Sequence, residues 1–510
     1  MLNLKKHSQP ICFILLAILT TMVYWPSLSH APRADHIIYL AETAQRTTWW
    51  QTAVAPYDLN RTSLYSPGDE KLFRPLFYFI IGNERFFFGY NFLYWQLCAL
   101  LTHLLVIWQL SRLLTRIHPG FSAWFLSAFF SLMCMNVEMV TWHHITGYLV
   151  FVSLLLAACD AIFTLLILKK TTPQSLITAW VSLCLASFIF ELGVLASLLC
   201  ALAFRLQPDR SLKKFSAALF AIPALYAFLN GLSLFTRRIS VETLLQISLN
   251  ATKPLWQIII TPFEFIGWWL TSALFPSAFH LRIGPRTVIA KEHSLALLEN
   301  SSDWSLWCAL LLCVLSLALL FKSLNRLVLR ERSFFLFILL GIPVIFAFQA
   351  SVRSLTTDTW DALRINLYYI YLFWPFFILA SFSMIDFNAI ARYKWYPLMR
   401  ATILALLLLL ACHNALQTFY INLLRAHKDA PVIHMISTID SLIQNKGNEP
   451  DCSFFIPDNF PGNHVRENIP QRGKTETVTK SAAELLFPRH FTRESPKYLL
   501  PAVLDNPTIQ

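Results

Sequence analysis

Residues 176–204 read LITAWVSLCLASFIFELGVLASLLCALAF. A bilayer core of roughly 30 Å takes about 20 apolar residues as helix, so this stretch is long for one span, and its only charge, Glu191, falls near the middle. A carboxylate in hydrocarbon is costly and is normally paired or functional. The stretch is therefore either a helical hairpin of two short spans with Glu191 at the outer tip, or one long crossing. The hairpin keeps Arg205, Arg210, Lys213 and Lys214 in the cytoplasm, in line with the positive-inside bias, whereas a single crossing turns all four outward. We expect the hairpin. The later run 255–275, with Glu264 and Trp268-Trp269, then dips in and returns to the external side.

The whole chain repeats the character of that stretch. Its 510 residues are 56% hydrophobic, 15% aromatic and only 14% charged, with a mean hydropathy of +0.52. Soluble domains carry about a quarter charged residues, so a purely soluble enzyme is excluded. Thirteen glycines exclude a collagen-like chain, and nearly all of the 10 cysteines lie inside apolar runs, which excludes a disulfide scaffold. The net charge of +12 is spread over the ends of these runs and forms no patch for nucleic acid.

Further runs of near-span length cover 10–28, 92–114, 121–135, 145–168, 215–235, 304–321, 334–349, 367–384 and 399–416. Lys5 and Lys6, Arg112 and Arg116, Lys169 and Lys170, the group Lys322, Arg326, Arg330 and Arg332, and Arg392 with Lys394 all fit cytoplasmic loops. The resulting expectation is an all-α polytopic membrane protein of about eleven transmembrane helices over 1–416, with a first external loop at 29–73. Residues 417–510 carry prolines, charges and no run of span length. They read as a small external α/β appendage, with a helix near 431–444 and a strand near 452–456.

In this topology the polar residues gather at the external face: Asp35 and His36 in the first loop, Arg74, then Asn136, Glu138, Trp142, His143 and His144, then Glu191, and finally Arg353, Asp358, Asp361 and Arg364. Asp35, just past a membrane exit, suits a general base or a metal ligand, or is a solvated loop aspartate. Glu138 and Trp142 share a helical face. Arg74 and Arg364 match a phosphate or pyrophosphate in bidentate fashion, or snorkel to headgroups. Asp160 lies within a span and serves either a helix–helix hydrogen bond or a role of its own. No zinc spacing, P-loop, GxGxxG or GxSxG is present.

One set of motifs has a known counterpart. Asp35 in the first loop is followed by Phe73-Arg74-Pro75-Leu76, by Phe88-Gly89-Tyr90-Asn91 leading into Leu101-Thr102-His103-Leu104-Leu105, by Asn136-Val137-Glu138-Met139-Val140-Thr141-Trp142, and by Phe190-Glu191-Leu192-Gly193. In order and spacing, over roughly the first 200 residues, these resemble the GT-C superfamily of polyprenyl-phosphate-sugar-dependent glycosyltransferases. They look closest to the bacterial relatives of the TMTC-type and protein O-mannosyltransferases. Arg364-Ile365-Asn366-Leu367-Tyr368 matches that family's Arg/Tyr-rich entry into a late helix.

The resemblance implies an inner-membrane enzyme whose site faces outward. There a sugar on a polyprenyl phosphate passes to a glycan, lipid or protein acceptor with inversion. It makes Asp35 the catalytic base. It makes His36, Glu138, His143 and Glu191 ligands of sugar hydroxyls or modulators of Asp35, and Arg74 and Arg364 partners of the departing phosphate. No soluble nucleotide-sugar is required, and a divalent cation is allowed. Other readings of the same composition are a lipid or glycan transporter or flippase, and a surface-polysaccharide polymerase or ligase.

Overall fold

The fold is that of a computed structural model. It describes residues 2–32, 36, 39–40, 43, 48–54, 73–118, 120–236, 255–274, 303–324, 327–352, 368–384, 396–446 and four strands between 454 and 499. Helices dominate: α1 Leu2–Tyr24, α2 Pro75–Phe88, α3 Phe92–Ile117, α4 Phe121–Leu132, α5 Val137–Thr141, α6 Thr146–Leu166, α7 Pro173–Ile189 and α8 Leu192–Arg205. They continue with α9 Arg210–Thr236, α10 Leu255–Leu274, α11 Asp303–Leu324, α12 Leu329–Ser333, α13 Gly341–Val352, α14 Tyr368–Met384 and α15 Tyr396–Lys446. Among the described residues six helices are long and apolar enough to cross a membrane: Pro10–Ser29, Phe92–Ile117, Thr146–Leu166, Arg210–Ser233, Leu329–Val352 and Ala401–His427. A pair bent by 49° near Met133 makes a seventh if it is one span, and α7, α8 and α14 are shorter apolar helices. The chain is an all-α polytopic membrane protein.

It divides into two compact units. The larger comprises Met1–Trp25, Leu100–Val140 and Gly147–Ile421; the smaller comprises Pro26–Ala99, Thr141–Thr146 and Asn422–Gln510.

In the larger unit the stretch 176–204 is broken, as a hairpin requires. Thr172 caps α7 by accepting from the Ser175 N–H at 3.2 Å, with Pro173 fitting the first turn. The helix stops at Phe190, which is extended, and Glu191 becomes the half-buried N-cap of α8. Immediately after it, a Cβ on Gly193 would lie 2.5 Å from the Ala186 carbonyl carbon. Only glycine lets the two backbones approach that closely.

Buried polar groups in this unit are tied between helices. Asp160 on α6 pairs with Arg112 and Arg116 of α3, and Arg116 also donates to Thr164 at 2.9 Å. Asp160 is therefore a helix-joining acid. His103 donates from Nε2 to the Ser131 carbonyl at 3.3 Å and accepts the Tyr371 hydroxyl at Nδ1, 2.7 Å away. Where α4 ends, Asn414 accepts from the Cys134 N–H at 3.0 Å and Thr418 donates to the Leu132 carbonyl at 3.2 Å. Two side chains of α15 thus satisfy backbone groups freed by the bend.

The helix α15 does not end at residue 416, where the apolar run stops, but continues to Lys446 through the helix expected near 431–444. The apolar run marks the length of hydrocarbon crossed, and the helix outlasts it. Beyond lie a parallel pair, β1 Phe454–Phe455 with β4 Tyr498–Leu499, and an antiparallel hairpin, β2 His464–Gln471 with β3 Lys474–Ser481. The first of these falls in the stretch read as a strand.

Candidate functional site

The smaller unit assembles three distant pieces of chain around Thr141–Thr146. The first is the exit from α1. His30 donates from Nε2 to the Asn422 carbonyl at 3.0 Å, and the Ala31 N–H donates to Asp429 Oδ2 at 3.2 Å. Both acceptors belong to the late half of α15, on residues seven apart and so on one helical face. Arg425, between them on that face, is almost wholly buried and donates from Nη1 to Thr141 Oγ1 at 3.3 Å.

The second piece is a ring cluster. His36 is fully buried, with its imidazole centroid 4.6 Å from Trp95, 6.0 Å from Phe92 and 5.4 Å from His143. His143 is buried in the turn His143–Ile145 and also meets Phe92 at 6.0 Å. Trp95 is held by its indole N–H on the Gly89 carbonyl at 3.2 Å and by the Phe88 ring.

The third is α2. Arg74 stands half-buried at its N-cap, with Pro75 in the first turn. One face buries Phe77, Ile81 and Glu84, and the other exposes Phe79, Phe86 and Phe87. Gly82 lies against Thr52 and Ala53 so closely that a Cβ would collide with the Thr52 carbonyl. The turn Trp50–Val54 is locked on the helix there, and Trp49 donates to Asn83 at 2.9 Å.

Glu84 is strongly perturbed. Burial pushes its carboxyl up to about 8, opposed by a hydrogen bond to Thr146. Thr146 donates its single hydroxyl proton to the His143 carbonyl at 3.0 Å. A neutral Glu84 can donate to that hydroxyl without disturbing it. An ionised Glu84 draws the proton away, which is why this bond works against burial. Between about 4.5 and about 8 the folded chain keeps a proton on Glu84 that the unfolded chain has released. The contribution is present in full below that window, falls as pH rises through it and is gone above it. Melting of the detergent-solubilised protein is expected to drop across this range more steeply in wild type than in Glu84→Gln. Parallel curves would refute the assignment.

Of the residues expected from sequence, His36 and His143 are brought into contact. Glu138, buried on α5, and Glu191 belong to the larger unit, and Arg74 belongs to the smaller. Asp35 and Arg364 lie outside the described residues. Among the described residues no three His, Cys, Asp or Glu side chains gather as a metal site. Sequence reasoning missed Glu84, Thr141 and Arg425. The signal was there: Glu84 falls at core spacing with Phe77 and Ile81, and Arg425 with Asn414, Thr418 and Asn422.

No family model matches the chain, and no curated protein does. Among solved structures it is similar to ArnT from Cupriavidus metallidurans bound to undecaprenyl phosphate, at 12% identity and a TM-score of 0.37, over 89% of this chain and 83% of that one. It is also similar to ArnT from Cupriavidus metallidurans in the apo state, at 12% identity and a TM-score of 0.30, over 74% and 78%. These TM-scores are too low for either likeness to bear on fold or function.

Proposed function

We propose that this chain is an integral-membrane glycosyltransferase of the GT-C type. In this reading about eleven crossings hold a site on the external face of an inner membrane, with 417–510 external. Asp35 removes the proton from an acceptor hydroxyl as that oxygen attacks the anomeric carbon. The bond to the polyprenyl phosphate breaks on the opposite side of the sugar, so the configuration inverts in one displacement. His36, Glu138, His143 and Glu191 hold sugar hydroxyls or tune the base, and Arg74 and Arg364 compensate the departing phosphate.

The observation that carries the reading is the contact of His36 with His143, their ring centroids 5.4 Å apart. His36 follows Asp35 and His143 follows the Asn136–Trp142 motif, so residues adjoining two elements of the family resemblance, far apart in sequence, meet in one buried cluster.

The test is transfer itself. Proteoliposomes containing the full chain and decaprenyl phosphate bearing radiolabelled glucose or mannose are expected to lose label from the lipid to an acceptor fraction of envelope lipids, glycans and proteins. Mass spectrometry of envelope glycans with and without the gene is expected to show one hexose-sized difference. Label that crosses the bilayer while staying on its lipid would replace this reading with transport.

A further inference from the structure

We infer that Glu84 is a substrate-binding residue of this site, its unpartnered carboxyl oxygen receiving a hydroxyl of the sugar on the donor lipid; the inference rests on the glycosyltransferase reading above. Glu84 is 6% exposed, and its Oε2 has no hydrogen-bond partner among the described residues. Buried polar atoms are nearly always satisfied, and an exception calls for an explanation. Structure alone supplies none. The opposite face of α2 is exposed at Phe79, Phe86 and Phe87, and a leucine at 84 would continue the apolar face of Phe77 and Ile81 without leaving a polar atom unpaired.

The carboxyl also closes a ring of contacts around the histidine pair. One turn along α2, Phe88 meets Trp95 at 6.4 Å; Trp95 meets His36, and His36 meets His143. The His143 carbonyl takes the Thr146 hydroxyl, and Thr146 is hydrogen-bonded to Glu84. Oε2 therefore belongs to the same buried cluster as the two histidines.

Chemistry narrows the ligand to a hydroxyl. A carboxyl that keeps its proton offers one donor and spare acceptor capacity, the complement of an alcohol, which also donates and accepts. A phosphate would be repelled by this group on ionisation and is better served by guanidinium. A pyranose presents several hydroxyls at its rim, any of which can serve as that alcohol. The sugar-free end of the donor has no such match.

The experiment uses the full chain in nanodiscs of phosphatidylethanolamine and phosphatidylglycerol. Binding of decaprenyl phosphate, decaprenyl-phosphate glucose and decaprenyl-phosphate mannose is read by native mass spectrometry. Wild type is expected to prefer a hexosyl lipid. Glu84→Leu is expected to bind that lipid at least tenfold more weakly, with decaprenyl phosphate unchanged and Glu84→Gln in between. In wild type the infrared carbonyl band of the Glu84 acid, identified by its absence from Glu84→Gln, is expected to shift with the hexosyl lipid and stay fixed with decaprenyl phosphate. That readout serves even if Glu84→Leu fails to fold. Equal binding by wild type and Glu84→Leu with an unmoved band overturns the inference and leaves the enzyme reading standing. A band moved by magnesium ion alone overturns it in favour of a metal ligand. Wild type that binds none of the three lipids refutes the enzyme reading and the inference with it.

Discussion

Asp35→Asn is expected to lower sugar transfer by about 10²- to 10⁴-fold, the range a positioned general base contributes, while donor-lipid binding stays close to wild type. Asparagine keeps the size and most of the hydrogen-bonding reach of aspartate but cannot take the acceptor's proton as the new bond forms. An interaction used only in the transition state is lost from turnover and not from ground-state binding. His36, next in the chain, is fully buried against Trp95, Phe92 and His143, so the exchange at 35 adds no bulk to a cluster packed by its neighbour. Initial rates in proteoliposomes, paired with binding of decaprenyl phosphate, check this. Transfer at the wild-type rate with normal amounts of protein would remove Asp35 as the base, and equal losses in rate and binding would make it a ligand instead.

The membrane fold was legible because span length is a local property. A run of apolar residues is seen in the sequence as directly as in the helix it forms, and even the break at Phe190–Glu191 was announced by one charge inside 176–204. What stayed hidden depends on pairing across the chain. His36 and His143 were each singled out, yet no periodicity says that their rings meet. The apolar run stops at 416 and so does not mark the end of α15, along which Asn414, Thr418, Asn422, Arg425 and Asp429 form one polar stripe. The side chains of Asn414, Thr418, Arg425 and Asp429 bond to backbone or hydroxyl groups elsewhere in their own unit, and the Asn422 carbonyl accepts from the His30 imidazole. Glu84 is hidden for a related reason: α2 is too short to read as a span, so a charge at core spacing within it carries no signal in the sequence.

Arg425→Met should cost turnover about 10²-fold, the loss that roughly 1 Å of misplacement at a reacting centre can cause, although residue 425 lies far in sequence from every motif that carries the resemblance. The methionine keeps the apolar stem of arginine and loses the guanidinium, so packing along α15 is largely retained. The loss falls on Thr141, whose Oγ1 accepts from Arg425 at 3.3 Å and which stands two residues before His143. On either side of Arg425, Asn422 and Asp429 hold His30 and Ala31, the stretch that leads to Asp35. One helical face therefore grips both chain segments on which the candidate chemistry depends, and Arg425 supplies the charged hydrogen bond, worth about 1.5–3 kcal/mol for such bonds in general. Thr141→Val removes the acceptor from the other side. If the two residues act through this bond, the double variant is no slower than Arg425→Met alone, because the interaction can be lost only once. Arg425→Lys, which restores charge without the planar fork, recovers part of the rate. Rate losses that simply multiply in the double variant would mean that Arg425 and Thr141 work independently, and α15 would then be a support for the bundle rather than the element that fixes the loop.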